Sequence, residues 1–148
     1  MSTSHLPVDD PIVAELVEGP HLARFAYIGL DGCPRVVPIW FTVIAREILM
    51  ITGPRAAKIP ALEANPAVAL TIDDANVPPK VLLVEGEASL EHVEGMAPEY
   101  EVLARRYLGS GADAYLSQLT IKRQVRIRIR PLRWRVFDFV TRFPRSLS

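Results

Sequence analysis

A glycine turn that carries two cations is the stretch of the sequence best suited to chemistry. An apolar, β-branched run, Glu47–Thr52, ends in Gly53-Pro54, and Arg55 and Lys58 follow where a short helical pattern begins. Backbone N–H groups at a helix start favour anions, and a guanidinium offers paired hydrogen bonds to a phosphate. The turn therefore predicts an anion site, with solvated cations at a helix start as the alternative.

A second informative stretch precedes this turn in the chain. Asp31-Gly32 lies between two apolar runs, and this dipeptide favours a hairpin because both residues accept positive φ. The strand after it is rich in β-branched and aromatic residues and contains Pro38, which has no backbone N–H to donate. We therefore expect a strand whose backbone is not fully paired at Pro38.

Other kinds of catalytic site have little support in the sequence. His5, His21 and His92 lie far apart without the spacing of metal ligands. Cys33 is the single cysteine, which excludes an internal disulfide, and only Arg35 is near enough in sequence to lower its pKa. The chain has no phosphate-binding loop, dinucleotide fingerprint or nucleophile elbow. No metal site is predicted, and no catalytic residue is identified.

Turn signals and hydrophobic periodicity divide the chain into short elements. Asp10 followed by Pro11 predicts a helix over 10–18. Gly86 is expected to mark a bulge, and Pro131 is expected to bend the chain between its last two strands. Further helices are predicted over 58–64, 94–108 and 112–119, and strands over 21–29, 35–44, 47–52, 68–72, 80–91, 125–130 and 133–139. Six or seven strands with few helices indicate a small antiparallel barrel with peripheral helices.

Composition places the chain among single-domain globular proteins. It has 148 residues, of which 49% are hydrophobic and 23% are charged. No apolar run approaches the roughly 18 residues of a membrane-spanning helix, and the first residues lack the pattern of a signal peptide. We therefore expect one domain over 1–148, a cytoplasmic location and no membrane partner.

Charge is unevenly distributed along the chain, although the formal net charge is zero. From Ile121 onward, nine Lys or Arg residues stand against one acid, Asp138, so this part carries a charge of +8. Such asymmetry can indicate nucleic-acid binding. It can equally arise when basic strands lie beside acidic ones in a sheet. We favour the second interpretation for the basic C-terminal strands over 121–140.

Two motifs together resemble those of a known superfamily. They read Asp31-Gly32-x-Pro34-x-Val36-x-Pro38-x-Trp40-Phe41 and Thr52-Gly53-Pro54-Arg55-x-x-Lys58. Their order resembles the flavin-binding split-barrel superfamily, also called pyridoxamine-phosphate-oxidase-like. It includes small oxidoreductases that use FMN or the deazaflavin coenzyme F-420. The resemblance covers about residues 10–140 and implies a mainly β fold, a six-stranded antiparallel split β-barrel. It also implies a homodimer with two cofactors at the subunit interface.

The resemblance assigns cofactor-binding roles to particular positions. Val36, Val37 and Pro38 would form the strand whose backbone lies along the flavin ring. Ile51 and Thr52 would end the adjacent strand, near the ribityl chain of the cofactor.

Three further side chains complete the site that the resemblance implies, and one departs from it. Arg55 and Lys58 resemble the cations that hold the cofactor phosphate. Trp134 is expected to line the cofactor pocket of the second subunit. Tyr27 stands where the family often has a small residue, so it either fills part of the pocket or stacks on the ring. A true pyridoxamine phosphate oxidase ends in an Arg-x-His substrate motif, whereas this chain has no histidine after His92.

These features predict an oxidoreductase that passes a hydride between FMN or the deazaflavin and a small organic substrate. The basic residues slightly favour the deazaflavin, whose tail carries several carboxylates. A second hypothesis is a flavin- or haem-type binding protein of the same fold that has no turnover. A third is nucleic-acid binding by the basic strands, which ranks last because no aromatic stacking platform accompanies the arginines.

Overall fold

One antiparallel sheet of seven strands forms most of the protein in a computed structural model, which describes residues 5–141. The strands are β1 (Ala23–Ile28), β2 (Pro34–Ile39), β3 (Thr42–Ile44), β4 (Glu47–Thr52), β5 (Ala67–Asp73), β6 (Lys80–Glu94) and β7 (Arg123–Asp138). The helices are α1 (Pro11–Glu18), α2 (Lys58–Ala64), α3 (Pro98–Leu108) and α4 (Ala112–Ser117), with a 3₁₀ turn over Gly109–Gly111. The fold is therefore mainly β with peripheral helices, as predicted.

The sheet is curled but not closed by hydrogen bonds. Its strand order is β2-β1-β5-β6-β7-β4-β3, so β2 and β3 lie at opposite edges. Only Trp40 and Phe41 separate these two strands in the chain. Since Ile39 and Thr42 can be at most about 11 Å apart, the two edges must come together at this end. Within the described residues no ladder pairs β2 with β3 or β4, which leaves a split between the edges.

The six strands that the resemblance implies are not confirmed, because the sheet has seven. Two predicted strand boundaries also differ from those observed. The predicted strand over 35–44 is interrupted at Trp40-Phe41, where the chain passes from one edge of the sheet to the other. The predicted strands over 125–130 and 133–139 are one continuous strand, β7. Proline removes only one donor from a ladder, and the long partner β6 pairs with β7 on both sides of Pro131.

The bulge predicted at Gly86 lies opposite that proline. Glu85 pairs with Arg133 and Gly86 with Pro131, so Leu132 is the extra residue. A Cβ on Gly86 would lie 2.5 Å from the carbonyl oxygen of Arg130. Glycine is therefore required here by the close approach of the two backbones.

The predicted helix over 10–18 is confirmed, with its end stabilised as expected. The carboxylate of Asp10 accepts a hydrogen bond of 2.9 Å from the amide of Ile12, and Pro11 occupies the first helical position. The helix predicted over 94–108 begins only at Pro98, because β6 extends to Glu94.

Strand β4 is buried on both faces. Ile48 and Met50 belong to the main core inside the curled sheet, whereas Leu49 and Ile51 pack with Leu103 of α3 on the outside. This second cluster fixes α3 over the split end of the sheet.

Acidic neighbours pair with most of the basic strand. Arg126 contacts Glu91 and Glu99 at 2.9 and 2.7 Å. Further pairs join Arg128 to Glu47, Arg130 to Glu87 and Arg133 to Glu85. These contacts support the cross-strand interpretation of the charge asymmetry; Arg142 and Arg145, which contribute to the +8, lie outside the described residues, as does the rest of the segment 142–148.

No helix in the described range 5–141 is long and apolar enough to cross a membrane.

Candidate functional site

The unpaired edge of β2 runs alongside the segment that carries the glycine turn. At one end, Pro38 and Trp40 line a cavity of about 310 Å³ together with Ile51 of β4. At the other end, Arg35 lines a cavity of about 290 Å³ together with Ala57, just before α2. The region between β2 and the segment 51–61 is called the slot below. It brings together both motifs that were singled out in the sequence.

Strand β2 presents backbone to the slot. It pairs with β1 on one side, and among the described residues nothing pairs with its other side. Val36 is 67% exposed, Pro38 is exposed, and Val37 packs against the main core. On the facing strand, β3 covers β4 only as far as Leu49, so Met50–Thr52 also have one unpaired backbone side. Two unpaired strand edges therefore face the slot.

The cations of the glycine turn have no carboxylate partner within residues 5–141. Arg55 is exposed, and Lys58, the first residue of α2, is half-buried. Burial lowers the pKa of Lys58, because no nearby charge compensates for its loss of hydration. An anion that bound here would supply the missing charge, so this arrangement suits an anionic ligand better than solvated surface residues.

Two more cations lie beside Arg55. A cavity of about 570 Å³ is lined by Arg55 together with Lys122 and Arg123, which precede and begin β7. Neither has a carboxylate partner in the part of the chain that the structure describes. This distinguishes them from Arg126 and the arginines farther along β7 that pair with glutamates. Unpaired positive charge is thus concentrated around the glycine turn.

An aromatic cluster surrounds Trp40 at the end of the slot. Its indole stacks on Tyr107 with ring centroids 5.1 Å apart and an angle of 4° between the planes. Tyr100 and Tyr115 approach it at 6.1 and 6.2 Å. The hydroxyl groups of Tyr100 and Tyr115 are 2.6 Å apart, and burial and this hydrogen bond raise the pKa of Tyr100. Tyr100 therefore stays neutral at physiological pH.

Two neighbouring residues of α3 hold the connection between β2 and β3. Arg106 donates to the carbonyl oxygens of Val17 and Phe41, both at 3.1 Å, and to the hydroxyl of Thr42 at 3.2 Å. Tyr107 donates to the carbonyl oxygen of His21 at 2.7 Å and accepts from the amide of Phe41 at 3.2 Å. Helix α3 thus fixes both the connection and the position of Trp40.

Tyr27 and Trp134 occupy different places relative to the slot. Tyr27 is buried, stacks on Phe25 at 5.8 Å and lines the cavity that Arg35 and Ala57 share. Trp134 packs against the main core, and its indole N–H is buried without an acceptor in the described chain. It lies outside the slot of its own chain, and its expected role in a second subunit stays a prediction.

Sequence reasoning missed the contribution of α3 and α4. Tyr100, Leu103 and Tyr107 do follow helical spacing, and this spacing underlies the helix predicted over 94–108. Their meeting with Trp40, some 60 residues earlier, has no local signal.

Comparisons with known proteins agree with this architecture. The family model described as pyridoxamine 5'-phosphate oxidase matches residues 10–138. No curated protein sequence matches the chain. Among solved structures, an F-420 reductase is 26% identical, with 82% of this chain and 94% of that chain covered and a TM-score of 0.66.

Two further solved structures share the fold at lower identity. A conserved hypothetical protein from Mycobacterium tuberculosis is 24% identical, covering 93% of this chain and 89% of that one, with a TM-score of 0.68. HutZ, the haem storage protein from Vibrio cholerae, is 20% identical, covering 86% and 92%, with a TM-score of 0.61. On the family match, which spans nearly all of the described residues, the chain belongs to the pyridoxamine 5'-phosphate oxidase family.

Proposed function

We propose that the protein is an oxidoreductase that binds the deazaflavin coenzyme F-420, or FMN, in the slot. The observation that carries this proposal is the group of unpaired cations beside an unpaired strand edge. In this proposal Arg55 and Lys58 would hold the cofactor phosphate, and the backbone of Val36–Pro38 would lie along the ring; the unpaired edge of β2 and the lowered pKa of Lys58 support it. Ile51 and Thr52 end the facing strand, where the ribityl chain would pass.

Electrostatics supports a phosphate at the turn. A half-buried ammonium group without a partner costs free energy, which a bound dianion would recover. Arg55 adds bidentate hydrogen bonds at the rim. Charge-assisted hydrogen bonds contribute about 1.5–3 kcal/mol each, so these two residues together account for a substantial share of the binding free energy.

The additional cations favour the deazaflavin over FMN. FMN ends in one phosphate, whereas the deazaflavin continues into a lactyl and oligoglutamate tail with several carboxylates. Lys122 and Arg123 line a cavity of about 570 Å³ with Arg55, which offers positive charge beyond the phosphate position. The similarity to an F-420 reductase at 26% identity points the same way.

The cofactor would supply the redox chemistry, passing a hydride to or from a small organic substrate. The chain's own part would be to anchor the phosphate and to offer one wall for the ring. A homodimer would bring Trp134 of a second copy to the slot, where its side chain would line the cofactor pocket.

The test is a fluorescence titration of cofactor-free protein with the deazaflavin and, separately, with FMN. Arg55→Ala combined with Lys58→Ala should weaken binding of the preferred cofactor at least a hundredfold, since two charge-assisted bonds are removed. The control is Arg46→Ala combined with Arg130→Ala, which removes the same charge from exposed ion pairs with Asp9 and Glu87. An unchanged dissociation constant in the first variant would refute the assignment.

Turnover separates an enzyme from a binding protein. Reduced cofactor should be oxidised in the presence of some carbonyl or conjugated substrate. This oxidation is measured as a change in the cofactor's visible absorbance. Tight binding without oxidation or reduction across a broad substrate panel would instead favour the flavin- or haem-type binding protein.

A further inference from the structure

Helix α4 is attached to the rest of the protein much more weakly than α3 is. It has six residues, of which only Ala112 is buried. Within the described range 5–141, neither the main core nor the second cluster includes a residue of α4. A helix of this length is not stable by itself and depends on its packing. The few contacts that α4 makes with other elements therefore decide whether it stays in place.

Two side chains connect α4 to its surroundings. The hydroxyl group of Tyr115 lies 2.6 Å from that of Tyr100, and the Tyr115 ring meets the indole of Trp40 edge-on at 6.2 Å. Asp113 pairs with Arg105 at 2.9 Å, but its side chain is 84% exposed, and exposed pairs of this kind contribute little. No other hydrogen bond or ion pair among residues 5–141 joins α4 to α3 or to the sheet. The contact between the two tyrosines is thus the main polar link.

The chain on both sides of α4 is loosely packed. Before the helix, the turn Gly109–Gly111 starts at a glycine with a φ of +57°, and a Cβ at either glycine would meet nothing within 4 Å. After the helix, residues 118–121 belong to no helix or strand. This stretch is held at its far end, where the amide of Gly95 donates to the carbonyl oxygen of Lys122 at 2.8 Å. Residues 109–121, called the flap below, are therefore anchored at both ends and weakly packed between them.

The flap forms part of the walls of two cavities. Tyr115 lines the uncharged cavity of about 310 Å³. Thr120 and Ile121 line the cavity of about 570 Å³ that they share with Lys122 and Arg55, called the cationic cavity below. If the flap moved outward, both cavities would lose a wall. An anion in the cationic cavity is therefore bound more tightly while the flap is in place.

We propose that the flap opens and closes over the uncharged cavity while α3 stays in place, and that an anion bound in the cationic cavity favours the closed state. Closure forms the Tyr100–Tyr115 hydrogen bond, and opening breaks it. A ligand shifts such an equilibrium only by the difference between its affinities for the two states. The anion has this difference because the flap supplies part of its cavity. The flap does not depend on the proposed cofactor, whereas its role as a gate to a redox site rests on the proposed function.

Amide hydrogen exchange, measured by NMR on cofactor-free protein, tests the motion. The amides of Gln118 and Leu119 are hydrogen-bonded within the flap. After correction for intrinsic rates, they should exchange at least tenfold faster than amides in the middle of α3, because local opening suffices. Tyr115→Phe should speed their exchange about fivefold, as the loss of one hydrogen bond predicts. Tyr100→Phe should have the same effect, and the double variant should be no faster than either single variant, because the two hydroxyl groups serve one bond.

The control for this experiment is Tyr27→Phe. It removes a hydroxyl group outside the flap and outside both of its cavities, so exchange in the flap should not change. Exchange in the flap as slow as in α3, or an unchanged rate in Tyr115→Phe, would overturn the proposal. Thermal melting of each variant confirms folding.

Inorganic pyrophosphate is the probe for the anion. It should slow the exchange of the same two amides several-fold, whereas sodium chloride at the same ionic strength should not. Lys122→Ala combined with Arg123→Ala should abolish this protection, and Arg46→Ala combined with Arg130→Ala, which lies outside the cavity, should retain it. Exchange that is independent of pyrophosphate would overturn the coupling and, with it, the proposal.

The cofactor titration is separate from these experiments. A flap that responds to pyrophosphate in a protein that binds neither cofactor would leave the flap assigned and refute the proposed function. A flap that exchanges no faster than α3 in a protein that binds a cofactor would do the reverse.

Discussion

Replacing Arg106 tests whether α3 holds the connection between the two edges of the sheet. Its guanidinium makes three hydrogen bonds, to Val17, Phe41 and Thr42, and is only partly exposed. Arg106→Met keeps an unbranched apolar side chain of similar reach but removes every donor. The three acceptors would then lose their partner in a site that water reaches poorly.

The loss can be estimated from these contacts. At about 1 kcal/mol for each hydrogen bond, three bonds correspond to about 3 kcal/mol of unfolding free energy. In a chain of this size that is a fall in Tm of about 6–12 °C. Equilibrium urea unfolding followed by far-UV circular dichroism measures the first quantity, and a thermal melt measures the second.

The neighbouring residue provides the control. Arg105 pairs with Glu101 and Asp113 on the exposed side of α3, and solvent-exposed ion pairs of this kind contribute little to stability. Arg105→Met should therefore change stability little. Equal losses for the two variants would refute the role given to Arg106. Near-UV circular dichroism adds a second readout, because a loosened connection should weaken the signal of the stacked Trp40.

Two further predictions concern the sheet and its charges. Gly86→Ala should cost roughly 1–3 kcal/mol by urea unfolding, since its Cβ would clash with the backbone of Arg130, whereas Gly111→Ala meets open space and should cost far less; equal costs would contradict the close approach at the bulge. Burial is the largest single effect and raises the pKa of Glu99, but the hydrogen bond and charge of Arg126, a backbone hydrogen bond and the charge of Arg128 together outweigh it and hold the pKa below its usual value. This stabilisation is present above the usual glutamate pKa of about 4.3 and is lost as the pH falls through the lower folded pKa. Unfolding measured against pH should show wild type exceeding Glu99→Gln at pH 7 and converging with it in acid, and a difference independent of pH would contradict the assignment.

Local signals in the sequence were sufficient for much of the fold. The Asp10 cap with Pro11 located α1, and Asp31-Gly32 located the turn between β1 and β2. The glycine turn before Lys58 located the start of α2. In each case the deciding interaction lies within a few residues, where residue type alone determines the backbone geometry.

Long-range packing determined what the sequence could not predict. The break at Trp40-Phe41 follows from α3, whose Arg106 and Tyr107 bind the connection more than 60 residues away. Pro131 lies within a continuous strand because β6 is long enough to pair on both sides of it. The residues around Trp40 do not identify α3 as the element that packs there, and the residues around Pro131 do not identify β6 as the pairing strand.

The cations illustrate the same limit within the candidate site. Arg55, Lys122 and Arg126 look alike in sequence, yet Arg126 is neutralised by two glutamates, while the other two line a cavity and have no carboxylate partner among residues 5–141. Only the register of β6 against β7 and the position of α3 distinguish them. The charge that is available to a ligand is a property of the folded sheet.

The short connection between β2 and β3 also limits how far apart the two walls of the slot can move. Because two residues join the edges, their separation at the Trp40 end is bounded at about 11 Å however the sheet flexes. The far end, where Arg35 faces Ala57, has no such covalent limit. A wider slot is therefore compatible with the chain only at the end where Arg35 faces Ala57, because the two-residue connection limits the width at the Trp40 end.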